Sequence, residues 1–171
     1  MENPKSNFAY NQWKMLVNDW INLTIARIPE EAFNLEVSPG KNNGVYILGH
    51  LVVSDDDFSV YMGKGDFLFP EYRDLFANGT KCLSPENYPS VKEILEKWKA
   101  VCDKNEKIYQ ELKDIEFDEL HALCEDPEND WFKTKERIIQ AWQLHQAYHA
   151  GQLGIIESIA KSNIKLKEQK K

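Results

Sequence analysis

His145 and His149 stand four residues apart in a stretch of helical period, so both imidazoles leave one helix face, one turn apart. That face is also an apolar stripe: Ile138, Trp142, His145, His149, Gln152, Ile156 and Ile159. His50 holds the same kind of inward position on an earlier stripe of Ile47, His50, Ser54, Asp57 and Tyr61. A helical His pair spans one metal ion, and a third imidazole from a facing helix turns the pair into a facial triad. Taken singly, each is better explained as a hydrogen-bonded core histidine. Three on bundle-facing stripes favour a divalent metal ion. The fourth histidine, His121, falls in an acidic connection and is expected at the surface.

The residues around the pair narrow the chemistry. A zincin-type protease places Glu beside the first His as general base, and Gln146 cannot take that proton. A ferritin-like di-iron centre needs Glu-x-x-His pairs on two helices, and none occurs. What remains is a mononuclear site with three neutral ligands and open positions. Such a site can polarise a substrate, lower the pKa of bound water, or hold a thiol as thiolate. Asp57, two turns beyond His50, is a candidate base or orienting group, and Gln152, one turn past His149, a candidate donor to substrate. A salt-bridged carboxylate and a helix–helix hydrogen bond explain these two equally well. Cys82, Cys102 and Cys124 are odd in number and form no C-x-x-C pair, which suits reduced thiols in a cytoplasmic protein.

Four amphipathic segments must position these side chains. The first carries Trp13, Val17, Trp20 and Thr24, widened by Leu16 and Leu23, and ends at Pro29. The second bears His50 and closes at Gly63 and Gly65. The third follows Pro89-Ser90, with Ser90 as N-cap and Glu93 at the capping-box position, and runs Ile94, Trp98, Val101, Asn105, Ile108, Leu112. The fourth is expected to start near Asn129–Asp130. With no alternation of period two, the pattern is all-α: a four-helix bundle in a single domain over residues 1–162, followed by a basic tail, 163–171, expected to fray.

Two connections are long. The crossover from Gly63 to Pro89, between the second and third helices, holds Phe67, Phe69 and Phe76, which should be buried, in part on a short helix. The connection from Ile115 to Asp130 has seven acids and no Lys or Arg, and should contain a turn or two of helix. With 42% hydrophobic and 29% charged residues, the composition excludes general disorder. Lys161–Lys171 has four excess positive charges, leaving about −11 on the remaining body of a chain whose net charge is −7. An acidic body argues against nucleic acid as partner. The chain shows neither a signal peptide nor a membrane-spanning run, so a cytoplasmic location is expected.

At the histidines the chain resembles the DinB/YfiT family of metalloenzymes. Gly44-Val45-Tyr46-Ile47-Leu48-Gly49-His50-Leu51 resembles that family's L-x-H element, and His145-Gln146-Ala147-Tyr148-His149-Ala150-Gly151-Gln152-Leu153 its H-x-x-x-H-x-G-Q-L element. The resemblance implies a four-helix bundle with a long crossover, often a homodimer, whose ligands here are His50, His145 and His149. It implies nickel, zinc, iron or manganese as the metal. It also implies chemistry on small molecules, including S-transfer and isomerisation with a low-molecular-weight thiol as cosubstrate. Three functions follow as expectations: thiol-dependent S-transfer, metal-dependent hydrolysis by a bound hydroxide, and a non-enzymatic metal-binding bundle.

Overall fold

Helix formation begins at Pro4, whose missing N–H costs nothing in a first turn. In the computed structural model, which describes residues 3–168, the first rod is continuous. It comprises α1 (Pro4–Lys14), a π-helical stretch (Met15–Asn22) and α2 (Leu23–Arg27). The rod buries Ala9, Trp13, Val17, Ile21 and Ile25, in steps of four. In a regular α-helix such steps drift around the axis, because a turn takes 3.6 residues. The wider π turn, with its i→i+5 bonds, drifts the other way and keeps the five in line. This corrects the expected stripe: Ile21 enters the core, whereas Trp20 is 51% exposed and Leu23 faces outward too. Pro29 ends the rod as expected, with Ile28 extended before it.

α3 (Gly44–Tyr61) is capped by Asn43, whose side chain accepts from the Tyr46 N–H at 2.8 Å. It packs against the two long helices that follow and is buried on nearly every side, the place for a helix apolar all round. The crossover then leaves at Gly63, in the left-handed conformation, and folds back as a 3-10 turn (Pro70–Tyr72) and the short α4 (Arg73–Phe76). Asp56 secures it by accepting from the Leu68 and Phe69 N–H groups, and Lys104 pairs with the same carboxylate. Phe76 is fully buried and Phe69 packs half-buried on the core. Phe67 departs from expectation: it stays at the rim, 36% exposed, beneath the Arg73 guanidinium at 4.6 Å.

α5 (Val91–Glu111) starts as its sequence indicates, with Ser90 Oγ accepting from the Glu93 N–H at 3.2 Å. The Glu93 carboxylate does not return to the cap; it accepts from Tyr72 at 2.8 Å. Ile94, Trp98, Val101, Asn105, Ile108 and Leu112 are all buried. In the acidic connection a 3-10 turn (Asp114–Asp118) buries Phe117, while Leu120 and Leu123 remain exposed.

α6 (Lys135–Glu168) begins later than expected. Asp130 instead accepts from the N–H groups of Phe132 and Lys133, each at 2.8 Å, and Lys133 takes a positive φ of 58°. Local carboxylate bonds of this kind compete with helix formation. α6 carries the first part of the basic tail as helix; residues 169–171 lie outside the described residues. No strand occurs among the described residues, and no helix is long and apolar enough to cross a membrane.

Candidate metal centre

α3 supplies His50 and α6 supplies His145 and His149, and the bundle brings the three rings together. His145 Nε2 lies 3.1 Å from His50 Nε2 and 3.0 Å from His149 Nε2. His50 and His149 are buried; His145 is half-buried and faces a cavity.

Each buried ring is aimed from behind. His50 Nδ1 is 2.7 Å from the Phe76 carbonyl oxygen. A carbonyl only accepts, so Nδ1 carries the proton and the neutral ring turns its Nε2 lone pair inward. Gly49 makes that contact possible: a Cβ there would sit 2.3 Å from the Phe76 ring. The L-x-H element therefore places His50 on the helix and admits the crossover residue that orients it. On α6, His149 Nδ1 donates to Gln152 Oε1 at 2.8 Å, and Gln152 Nε2 donates to the Tyr148 hydroxyl at 3.0 Å. Gln152 thus serves His149, as an outer partner fixing the tautomer of a ligating imidazole.

The donor set fits a metal ion. Two of the three converging nitrogens present lone pairs, and one proton on His145 Nε2 can point at only one of them. The remaining lone-pair contact is repulsive unless an electrophile sits between. With metal–nitrogen bonds of about 2.0–2.1 Å, two imidazoles on one ion lie about 2.9–3.4 Å apart. The observed separations fall in that window. Burial, then the neighbouring imidazoles, lowers the pKa of His145 to about 4 and that of His149 to about 3, so both are neutral and ligand-ready at pH 7. Borderline imidazole donors suit zinc, iron or nickel without choosing among them, and suit manganese, which favours oxygen ligands, less well.

The exposed side of the site opens into a cavity of about 420 Å³. His50, His145, Ser54 and Asp57 form one part of its lining; Trp131, Phe132, Trp142 and Leu144 form most of the rest. A wider surface depression of about 730 Å³ near Lys64 and Glu119 contains none of the histidines. Asp57 is therefore brought to the site. Burial raises its pKa, against the pull of Arg73, with which it pairs. Sequence reasoning missed Arg73, Phe76 and the Trp131–Phe132 wall. An aromatic pair at the end of an otherwise acidic connection was the available signal for the wall.

His121 corrects its expected surface position, being only 3% exposed. It gathers with Cys124 and Asp130, a second set close enough to surround an ion. Its Nδ1 accepts from the Leu123 N–H at 3.2 Å, so Nε2 carries the proton and donates to Asp130 at 3.0 Å. Neither nitrogen has a free lone pair, and desolvation and Asp130 hold the Cys124 thiol above its usual range. This trio ties down the loop that ends in Trp131.

A family model described as the DinB superfamily matches residues 18–153, most of the chain, including all three histidines. The chain belongs to the DinB superfamily. No curated protein matches it significantly. The DinB assignment covers α3, the crossover, α5 and the first half of α6, the elements that build the three-histidine site. It agrees with the all-α bundle and with a buried His cluster able to hold a metal ion.

Proposed function

We propose that this DinB protein is a divalent-metal-dependent enzyme acting on a small molecule, with thiol-dependent S-transfer as its reaction. The observation that carries the reading is the three-imidazole cluster opening on one side into a cavity. Structural metal sites are closed by four protein ligands, whereas this cluster has three and a cavity where the fourth would be. When bound, the metal supplies a Lewis acid whose full charge is undiminished by neutral ligands.

The chain's own residues do the rest. Phe76 and Gln152 hold two of the imidazoles in register. Trp131, Phe132 and Trp142 wall the cavity with apolar surface, and Asp57 is the lining carboxylate that would orient a bound substrate. None of Cys82, Cys102 and Cys124 lines the cavity, so the reacting thiol comes from a cosubstrate. Burial pushes the Cys102 thiol well above its ordinary range, which makes it a packing residue.

The test is consumption of a generic electrophile such as 1-chloro-2,4-dinitrobenzene by protein loaded separately with zinc, nickel, iron or manganese, across several low-molecular-weight thiols. Turnover that needs both metal and thiol, and is lost in His145→Ala, is expected. Cleavage of nitrophenyl esters without thiol would select a hydrolase instead. Full metal occupancy with no turnover of either kind would leave a metal-binding bundle.

A further inference from the structure

The cavity beside His145 has a composition that the metal alone does not require. Three aromatic rings line it: Trp142, whose indole N–H is taken by the Ser54 carbonyl at 2.6 Å, and the edge-to-face pair Trp131 and Phe132, centroids 4.9 Å apart. Trp131 is 73% exposed and Leu144 72%, both at this cavity. The ring of Trp131 is nevertheless held in place. Its loop is tied by the His121–Asp130 pair, and Arg137 lies 5.6 Å from its centroid. A large aromatic fixed in water at the edge of a cavity is a surface waiting for an apolar partner.

The charge of the lining is equally selective. Asp57 is its one carboxylate and is ion-paired with Arg73, which also stacks on the Phe67 ring; no Lys or Arg lines the cavity, so an anion has no cation of the lining to meet. Asp57 stands seven residues along α3 from His50, or about 10 Å at the helical rise of 1.5 Å per residue. A benzene ring with substituents at opposite ends has about that length.

Resting on the metal reading above, we propose that the site selects an aromatic small molecule. One end of that molecule meets the metal centre, and the other, neutral or cationic, reaches Asp57. Molecules with an anionic far end are rejected.

The experiment titrates zinc-loaded protein by calorimetry with four zinc-binding probes. They are acetohydroxamate, benzohydroxamate, 4-(aminomethyl)benzohydroxamate and 4-carboxybenzohydroxamate. Benzohydroxamate should bind at least about tenfold tighter than acetohydroxamate, in keeping with stacking of one ring. The aminomethyl probe should bind at least as tightly as benzohydroxamate, and the carboxy probe at least about tenfold more weakly than the aminomethyl one. Trp131→Ala should erase the aromatic advantage, and Asp57→Asn the preference for amine over carboxylate. Equal affinity of acetohydroxamate and benzohydroxamate overturns the aromatic selection. Equal affinity of the two para-substituted probes overturns the charge selection. Zinc retained at one equivalent with no hydroxamate bound overturns the proposal while sparing the metal centre. If zinc itself is not retained, the metal reading fails, and the cavity is tested directly. Benzylamine should then shift the Trp131 and Trp142 indole resonances, and propylamine should not; no difference between them overturns the proposal.

Discussion

Removing one imidazole from the triad leaves a two-ligand site on helices that still pack. Purified protein is expected to hold about one equivalent of divalent metal by elemental analysis, and His149→Ala to lose it; equal content in both would refute the centre. Gln152→Leu tests the partner rather than the ligand. Freed from its acceptor at 2.8 Å, His149 loses its preferred tautomer, and metal affinity should fall about 10–100-fold with the fold intact. Behind the histidines lies a second polar knot. Gln146 donates to Asp55, Asn105 donates to the Asp55 carbonyl, and Asp55 Oδ2, Asn105 Oδ1 and Gln146 Oε1 have no partner. All three unmatched atoms are acceptors, so a proton on Asp55 gives the cluster the donor it lacks. Burial pushes the Asp55 pKa from 3.8 up to about 7. A raised carboxyl pKa favours the folded state at low pH, and that advantage disappears as pH climbs through 7. Asp55→Asn, which carries a permanent donor, should remove this decline, on the order of a few kcal/mol, in urea unfolding between pH 5 and 8. An unchanged pH slope would show that Asp55 is ionised throughout.

Elements position the site through close approach. Gly49 is mid-helix, where Gly→Ala ordinarily stabilises by about 0.5–1 kcal/mol. Here the new Cβ would meet the Phe76 ring at 2.3 Å, so overpacking of about 1–3 kcal/mol decides the sign. Gly49→Ala should therefore lower the melting temperature. It should also weaken metal binding, because the displaced Phe76 carbonyl no longer orients His50. Gly151, also within a motif, is the control: a Cβ there meets nothing, and Gly151→Ala should be neutral or stabilising by up to about 1 kcal/mol. Matching melting curves for the two variants would undo the steric account of Gly49.

For the whole molecule, metal and protons act on one equilibrium. In the unfolded chain His145 and His149 take up protons near the ordinary imidazole value of 6.5, while in the fold they resist until about 4 and 3. The unfolded state therefore binds more protons over that interval, and these two residues make the apo fold lose stability as pH falls below about 6.5. Metal binds the folded state alone, so the holo protein should melt higher than the apo protein at pH 7.5. The two neutral imidazoles should maintain a gap at pH 5.5, read within that one pH because Asp55 acts on both forms in the opposite sense to the histidines over this interval. Superimposable melting curves for chelated and metal-loaded protein at pH 7.5 would return the histidines to ordinary core residues.

Periodicity and residue type sufficed for much of this. The 3.6-residue stripes of α5 and α6 were legible because burial of one helix face constrains residues close in sequence, whereas α3, buried on nearly every side, shows no single inward face. The spacing of His145 and His149, and the inward station of His50, followed from the same rule. The register of the first rod did not, since a π-helical stretch arises from packing and left Trp20 outside where a regular stripe had placed it inside. Nor did the burial of His121, or the late start of α6, which depend on side-chain to backbone bonds within the acidic connection. The partners that make the histidines a site were farther out of reach: a carbonyl from the crossover, and Trp131 from the loop before α6. Neither carbonyl direction nor contact between residues 14 or more positions apart has a signature in a single chain's periodicity. Local sequence sets which faces are apolar; only the folded packing decides which polar atoms meet there.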